Sequence, residues 1–409
     1  MEKLKGNALV GQSGGPTAAI NSSLAGVYMG ALESECIETV YGMRNGMQGF
    51  LEERMVDLGS VLKNEDQLEL LRRTPASFLG SCRYKLPDSA KDSAVFEKAF
   101  ALFEKYQIKY FFYIGGNDSM DTVMKLTRYG RQIGSDVRFV GVPKTIDNDL
   151  VATDHTPGYG SAAKYIASTV REITRDAQVY DLHSVSIIEI MGRNAGWLTA
   201  ASALARTEAG DSPDLIYLPE RDFSFDQFVS DVAEAAKRKK NIVVTISEGA
   251  HTADGVYVCE SVASGTADAF GHKYLSGTAR VLEDVVRDKL GFKARGIELN
   301  IPQRCASHLS SQTDLDESFA IGEGAVYHAV DGASGVMMAY RRLSDDPYEI
   351  VFEALDIDQI ANAEKTIPDE WINEAGNDVT QAFIDYALPL IQGEVFCRYE
   401  NGLPKHLKL

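Results

Sequence analysis

Short apolar runs alternate along the chain with stretches in which apolar residues return at helical spacing. Ala8–Val10, Glu38–Tyr41, Tyr110–Ile114, Arg138–Val142, Val185–Ile190, Leu215–Leu218, Ile242–Ser247 and Gly296–Leu299 read as strands. Between them Ala162, Ile166, Thr169, Val170 and Ile173 follow a helical period, as do Phe96, Phe100 and Phe103. This alternation predicts an α/β fold of doubly wound, mostly parallel sheets. At 409 residues the chain exceeds one compact core, so two lobes with a cleft between them are expected. Polar breaks near Ala152–Pro157 and after Arg304 set the expected lobes at 1–155 and 156–304. The stretch Phe319–Arg341 reads as helical and, within 305–343, is expected to rejoin the first lobe. The acidic extension 344–409 carries no motif; a cap and an interface element are both open readings.

Composition narrows the class. Hydrophobic content of 44% and charged content of 24% are those of a soluble globular protein. A net charge of −18 argues against a general nucleic-acid or anionic-membrane surface, so any phosphate handling has to be local. The five cysteines (Cys36, Cys82, Cys259, Cys305 and Cys397) are widely spaced and form no CxxC pair. They suit a reducing compartment and give neither a disulfide framework nor a zinc site. No export-signal pattern follows Met1, and no apolar run reaches the roughly 18 residues of a membrane span. The expected compartment is the cytoplasm.

The informative polar residues sit where apolar runs stop. After Arg138–Val142 comes Pro143-Lys144-Thr145-Ile146-Asp147-Asn148-Asp149. Lys144, Asp147 and Asp149 would be costly in a core. At a strand end they could neutralise a phosphate, take a proton and hold a metal ion. Asp147 and Asp149 share one side of an extended segment, although a tight turn would use the same residue types. Gly11-Gln12-Ser13-Gly14-Gly15-Pro16-Thr17 offers close backbone approach to an anion before a helix start, or simply a tight turn. Gly115-Gly116-Asn117-Asp118-Ser119 puts short polar groups at another strand's carboxyl end, where open sheets bind ligands; a helix cap is the plainer alternative. Met191-Gly192-Arg193 offers a guanidinium suited to phosphate, or an ordinary surface arginine. Glu248, Arg295 and Arg304 also follow or bracket predicted strands.

Together, in this order, these elements resemble the phosphofructokinase family over roughly residues 7–340. The Pro-x-Thr-Ile-Asp-Asn-Asp and Met-Gly-Arg elements are highly specific. The resemblance implies two α/β lobes, with phosphoryl donor on one and fructose 6-phosphate on the other. It makes Asp147 the general base toward the sugar 1-hydroxyl, with Thr145 and Arg193 steadying the phosphoryl group. Asn117, Asp118 and Asp149 become the expected Mg2+ set. Gly15, Arg83, Asp118 and Lys144 match the donor side, and Met191, Gly192, Glu248 and Arg304 the sugar phosphate. Arg295 matches an arginine lent across a subunit interface, which implies a homodimer or homotetramer.

Two positions bear on the donor. ATP-using members usually carry glycine where this chain has Asp118 and Lys144. A carboxylate at 118 would crowd and repel a nucleotide's innermost phosphate, while a lysine at 144 can neutralise a bare diphosphate. The expected reaction is reversible transfer from pyrophosphate to fructose 6-phosphate, in glycolysis and gluconeogenesis. An ATP-dependent phosphofructokinase and a non-catalytic phosphosugar-binding subunit are the other readings. Departures from the family pattern are Asn117 for an aspartate, Ser184 for an intersubunit arginine and Ile301 for a histidine or aromatic residue. Ala25 and Met29 replace effector-site arginines, so regulation of that type is not expected.

Overall fold

The computed structural model describes residues 3–261, 275–360 and 363–409. Strands β1 (Gly6–Gln12), β2 (Ile37–Met43), β3 (Met55–Asp57), β4 (Ile108–Gly115) and β5 (Arg138–Pro143) build a first sheet. Strands β6 (Ser184–Ile190), β7 (Leu215–Tyr217), β8 (Asn241–Ser247) and β9 (Lys293–Glu298) build a second. The chain then returns to the first sheet with β10 (Val336–Asp345) and β11 (Tyr348–Asp356). The first sheet runs β11-β10-β5-β4-β1-β2-β3, parallel except at its two edges; the second runs β7-β8-β6-β9 and is wholly parallel.

Every strand expected from the apolar runs is present. Strand β4, Ile-Lys-Tyr-Phe-Phe-Tyr-Ile-Gly, is buried almost throughout because helices cover both faces of its sheet. Tyr110, Phe112 and Ile114 face helices Ile20–Leu32 and Gln312–Val330. Phe111 and Tyr113 face the aromatic cluster of Phe96, Phe100 and Phe103 on helix Ala94–Lys105. In the second lobe, helix Tyr159–Ala177 covers one face, and Phe225–Arg238 with Thr278–Leu290 the other.

Two segments differ from the sequence reading. The helix expected over Phe319–Arg341 is helical only to Val330. Gly332 (φ 109°) and Gly335 (φ 75°) then take left-handed conformations, and the chain leaves as strand β10. Met337, Met338, Ala339 and Tyr340 are buried in that strand, next to β5. The strand continues past residue 343 to Asp345. The acidic extension is no separate cap. Its Trp371, Phe383, Tyr386 and Leu390 pack into the core of the second lobe around Trp197 and Tyr159. Its last residues return to the first lobe, where the Leu407 amide donates to the Thr74 hydroxyl at 2.9 Å.

The lobes are joined by short bonds between helices. Asp314, on helix Gln312–Val330, accepts from the amides of Gly158 (2.8 Å) and Ser161 (2.9 Å) at the start of helix Tyr159–Ala177. Free N–H groups there would otherwise be buried without partners. Among the described residues no helix is long and apolar enough to cross a membrane.

Helices Ile20–Leu32 and Gln312–Val330 approach at glycines. A side chain on Gly26 would run into the Phe319 carbonyl, and one on Gly322 into the Ser23 carbonyl. Because both obstacles are backbone, Gly26→Ala has to push the helices apart. The expected loss is about 2 kcal/mol or more of unfolding free energy. Urea denaturation checks it; an unchanged midpoint would mean the helices are not in contact there.

Candidate active site

The carboxyl ends of β1, β4 and β5 in one lobe and of β6 and β8 in the other open onto one cavity of about 720 Å³. Gly15, Arg83, Asn117, Asp118, Lys144, Thr145, Asp147 and Asp149 line it from the first lobe. Met191, Arg193, Glu248 and Arg304 line it from the other side. Gly192 supplies the turn between Met191 and Arg193. Arg295 is not brought there. It lies on the edge strand β9 beside Ser184 and Lys293, away from the cavity of its own chain.

Local geometry explains each placement. The Thr145 hydroxyl accepts from the Asp147 amide at 3.1 Å and donates to the Asp147 carboxylate at 3.4 Å. Asn148 sits at φ 55°, a conformation asparagine tolerates better than most residues, and this carries the chain round from Asp147 to Asp149. In the first lobe, Ser81 donates to the Gly14 carbonyl at 2.7 Å and the Gly14 amide donates to the Cys82 carbonyl at 3.4 Å. These bonds hold the segment leading into Arg83 against the glycine loop. Across the cleft, Gly192 adopts φ 128° and its carbonyl accepts from the Ser247 hydroxyl at 2.6 Å. Gly249 leaves no room for a side chain against the Arg193 carbonyl, which fixes the two loops face to face.

Lys144 is 3% exposed, and its ammonium donates to the Gly15 carbonyl at 2.7 Å. Burial lowers its pKa to about 8, against the pull of Asp147 and Asp149. Burial also raises the Asp147 carboxyl, opposed by Lys144, the Thr145 hydroxyl, Arg193 and Arg304. Burial, then the charges of Asp147 and Glu364, push Asp149 up to about 7. Glu248 is pushed up to about 8 by burial and by Asp147; a 3.4 Å bond from the Gly192 amide only partly offsets this. Asp118 lies at the more open end, 4.0 Å from Lys85, with its side chain 41% exposed.

Among the described residues no three acidic, histidine or cysteine side chains gather to hold a metal ion alone. Magnesium does not require that. It takes one or two carboxylates and fills the remaining positions with phosphate oxygens and water. The buried Asn117 Oδ1 has no hydrogen-bond partner and lies in the same cavity as Asp149 and Asp118. This all-oxygen set fits magnesium.

Glu364 lines the same cavity and was not anticipated. It comes from the C-terminal extension and carries no motif. Its carboxylate accepts from Asn194 Nδ2 at 3.1 and 3.2 Å. Asn194, Ala195, Ser13 and Ser119 also line the cleft. Ser13 and Ser119 lie inside motif segments and Asn194 and Ala195 directly follow one, but only their neighbours were singled out.

Parallel sheets whose strand ends share a cleft, with cations and buried carboxylates supplied from both sides, define a two-lobed phosphotransferase. The chain belongs to the phosphofructokinase family, whose model matches residues 7–310. It is 41% identical to a pyrophosphate–fructose 6-phosphate 1-phosphotransferase of Halomonas elongata, covering 98% of this chain and 96% of that protein. A similarly named protein of Methylococcus capsulatus is 40% identical, again over 98% and 96%. The crystal structure of a pyrophosphate-dependent phosphofructokinase from Nitrosospira multiformis superimposes with a TM-score of 0.89 at 36% identity, covering 98% of this chain and 96% of that one.

Glu248 gives the site a signature in stability. Its folded pKa of about 8 exceeds the ordinary 4.5. Between those values the folded state keeps a proton that the unfolded chain has released, so stability falls as pH rises through the window. Glu248→Gln is expected to flatten that fall. Relative to the variant, the wild type loses up to about 1.4 kcal/mol per pH unit. Urea titrations at about pH 5.5 and about pH 7.5 measure this, and equal slopes would show that Glu248 is already ionised when folded.

Proposed function

We propose that the chain is a pyrophosphate-dependent 6-phosphofructokinase. It transfers a phosphoryl group from pyrophosphate to the 1-hydroxyl of fructose 6-phosphate, giving fructose 1,6-bisphosphate and phosphate. The observation that carries this reading is the buried Lys144. Its ammonium is bonded to the glycine loop, and even a methyl group on Gly14 would meet it at 3.2 Å. A lysine held there supplies charge for a compact diphosphate at the donor side. Asp118, in the same cavity, adds a carboxylate that repels a longer polyphosphate chain.

In this mechanism Asp147 takes the proton of the sugar 1-hydroxyl as that oxygen attacks the near phosphorus of the donor. Thr145 orients the carboxylate through its two contacts. Arg193 and Lys144 balance charge on the phosphoryl group in transit, and Arg304 with Met191 and Glu248 positions the sugar phosphate. Such a reaction depends on alignment and charge neutralisation more than on covalent catalysis. Magnesium, held by Asp149 with Asn117 and Asp118, would neutralise donor oxygens. Pyrophosphate and the product ester are close in phosphoryl potential, so the reaction runs both ways, serving glycolysis and gluconeogenesis in the cytoplasm. Arg295, on an edge strand outside its own cleft, is assigned to a neighbouring subunit's sugar phosphate in a homodimer or homotetramer.

Assay of the purified protein with each donor is the direct test: turnover with pyrophosphate and little with ATP is expected, and the reverse would overturn the assignment. Asp118→Gly combined with Lys144→Gly is expected to gain ATP use and lose pyrophosphate use. Asp147→Ser should lower kcat about a thousandfold while sugar binding persists. Unchanged turnover in that variant would remove Asp147 as the base.

A further inference from the structure

The C-terminal extension reaches the catalytic loop with more than Glu364. The Lys365 amide donates to the Asp149 carbonyl at 2.7 Å, next to a bridge between Leu150 and Glu364. The Lys365 ammonium donates to the carbonyls of Thr153 (3.0 Å) and Asp154 (2.7 Å), three residues or more further along the same loop. From the other direction, the Tyr386 hydroxyl accepts from Asn148 Nδ2 at 2.8 Å and donates to the Asp154 carbonyl at 2.8 Å. Asn148 and Tyr386 are both buried. Two residues of the extension therefore hold the loop on both sides of Asp149.

The same residues are anchored in the opposite lobe. The Lys365 carbonyl accepts from Trp197 Nε1 at 3.0 Å, and its ammonium lies 5.0 Å from the centre of that indole ring. Tyr386 packs against Trp197 with ring centres 5.4 Å apart. Trp197 begins the short helix that follows the Arg193 loop. The general base is thus held to one side of the cleft, the phosphoryl-steadying arginine to the other, and the extension is bonded to both.

We propose that Lys365 and Tyr386 are positioning residues for phosphoryl transfer, holding Asp147 in register with Arg193 through the backbone of residues 148–154. This rests on the phosphotransferase reading above. Neither residue lines the cavity, so neither is expected to contribute to substrate affinity. A small displacement of a reacting group is enough to slow transfer strongly.

The test compares Tyr386→Phe, which removes one hydroxyl from a ring that stays packed, with Lys365→Met, which keeps a side chain of similar length without the ammonium. Both are expected to lower kcat in both reaction directions, about fivefold for Tyr386→Phe and tenfold or more for Lys365→Met. KM for pyrophosphate and fructose 6-phosphate should stay within about threefold. Amide exchange across residues 148–156 should accelerate while the strands keep their protection. If Lys365→Met does not fold, Tyr386→Phe decides alone. Wild-type kcat in Tyr386→Phe, a loss confined to KM, or unchanged exchange in the loop would each overturn the proposal. A wild-type protein that turns over with ATP and not with pyrophosphate would instead overturn the donor assignment, and the same kcat and exchange comparisons, made with ATP, would then decide the proposal.

Discussion

The chemistry of this protein depends on keeping several carboxylates out of water in one place. Asp147, Asp149 and Glu248 all carry raised pKa values, and in each case burial is the leading cause. Ionised together out of water, they would repel one another by an amount that is a sizeable fraction of a folded domain's stability. The cleft tolerates them because Lys144, Arg193 and Arg304 lie among them, and because some protons are retained. Lys144 experiences the converse: burial makes its charge costly, and the neighbouring carboxylates sustain it. The acids and bases of the site hold one another in partly ionised states. That is the condition under which a carboxylate can accept a proton and later return it.

The fold supplies that arrangement through strand direction. In parallel sheets all carboxyl ends point the same way, so each lobe presents its βα loops as one row. Facing two such rows across a cleft lets short motifs, far apart in sequence, meet without long loops. The same geometry explains why glycines recur at the rim. Gly192 and Gly249 permit backbone approaches that a side chain would block, and the approach fixes Arg193 relative to Glu248.

This is also why much of the site was legible in the sequence. Strands buried on both faces announce themselves as unbroken apolar runs, and polar residues that interrupt such runs need a reason. Lys144, Asp147 and Arg193 could be read that way, and the cavity holds them together. What escaped was whatever depends on distant contacts. Met337 to Tyr340 follow a helix and carry no alternation, so local pattern could not distinguish a buried strand from more helix; the positive φ angles of Gly332 and Gly335 decide it. Glu364 and Lys365 lie in a stretch without motif, and their place is set by the bond to Asp149 and by Trp197. Arg295 had a recognisable position, but a single chain leaves it on an outer strand.

The route of the extension bears on the order in which this protein is made. Residues 147–154 leave the ribosome roughly two hundred residues before Lys365 and Tyr386. At ordinary rates of synthesis that is an interval of about 10–40 s. During it, both sheets can assemble from strands already made, except for β10 and β11, which also come late. All the charged side chains of the motifs are then present, but the loop bearing Asp147 has neither of its late partners. The making of the cleft's charged residues and the anchoring of the loop that carries Asp147 are therefore separated in time, and the last sixth of the chain closes the gap.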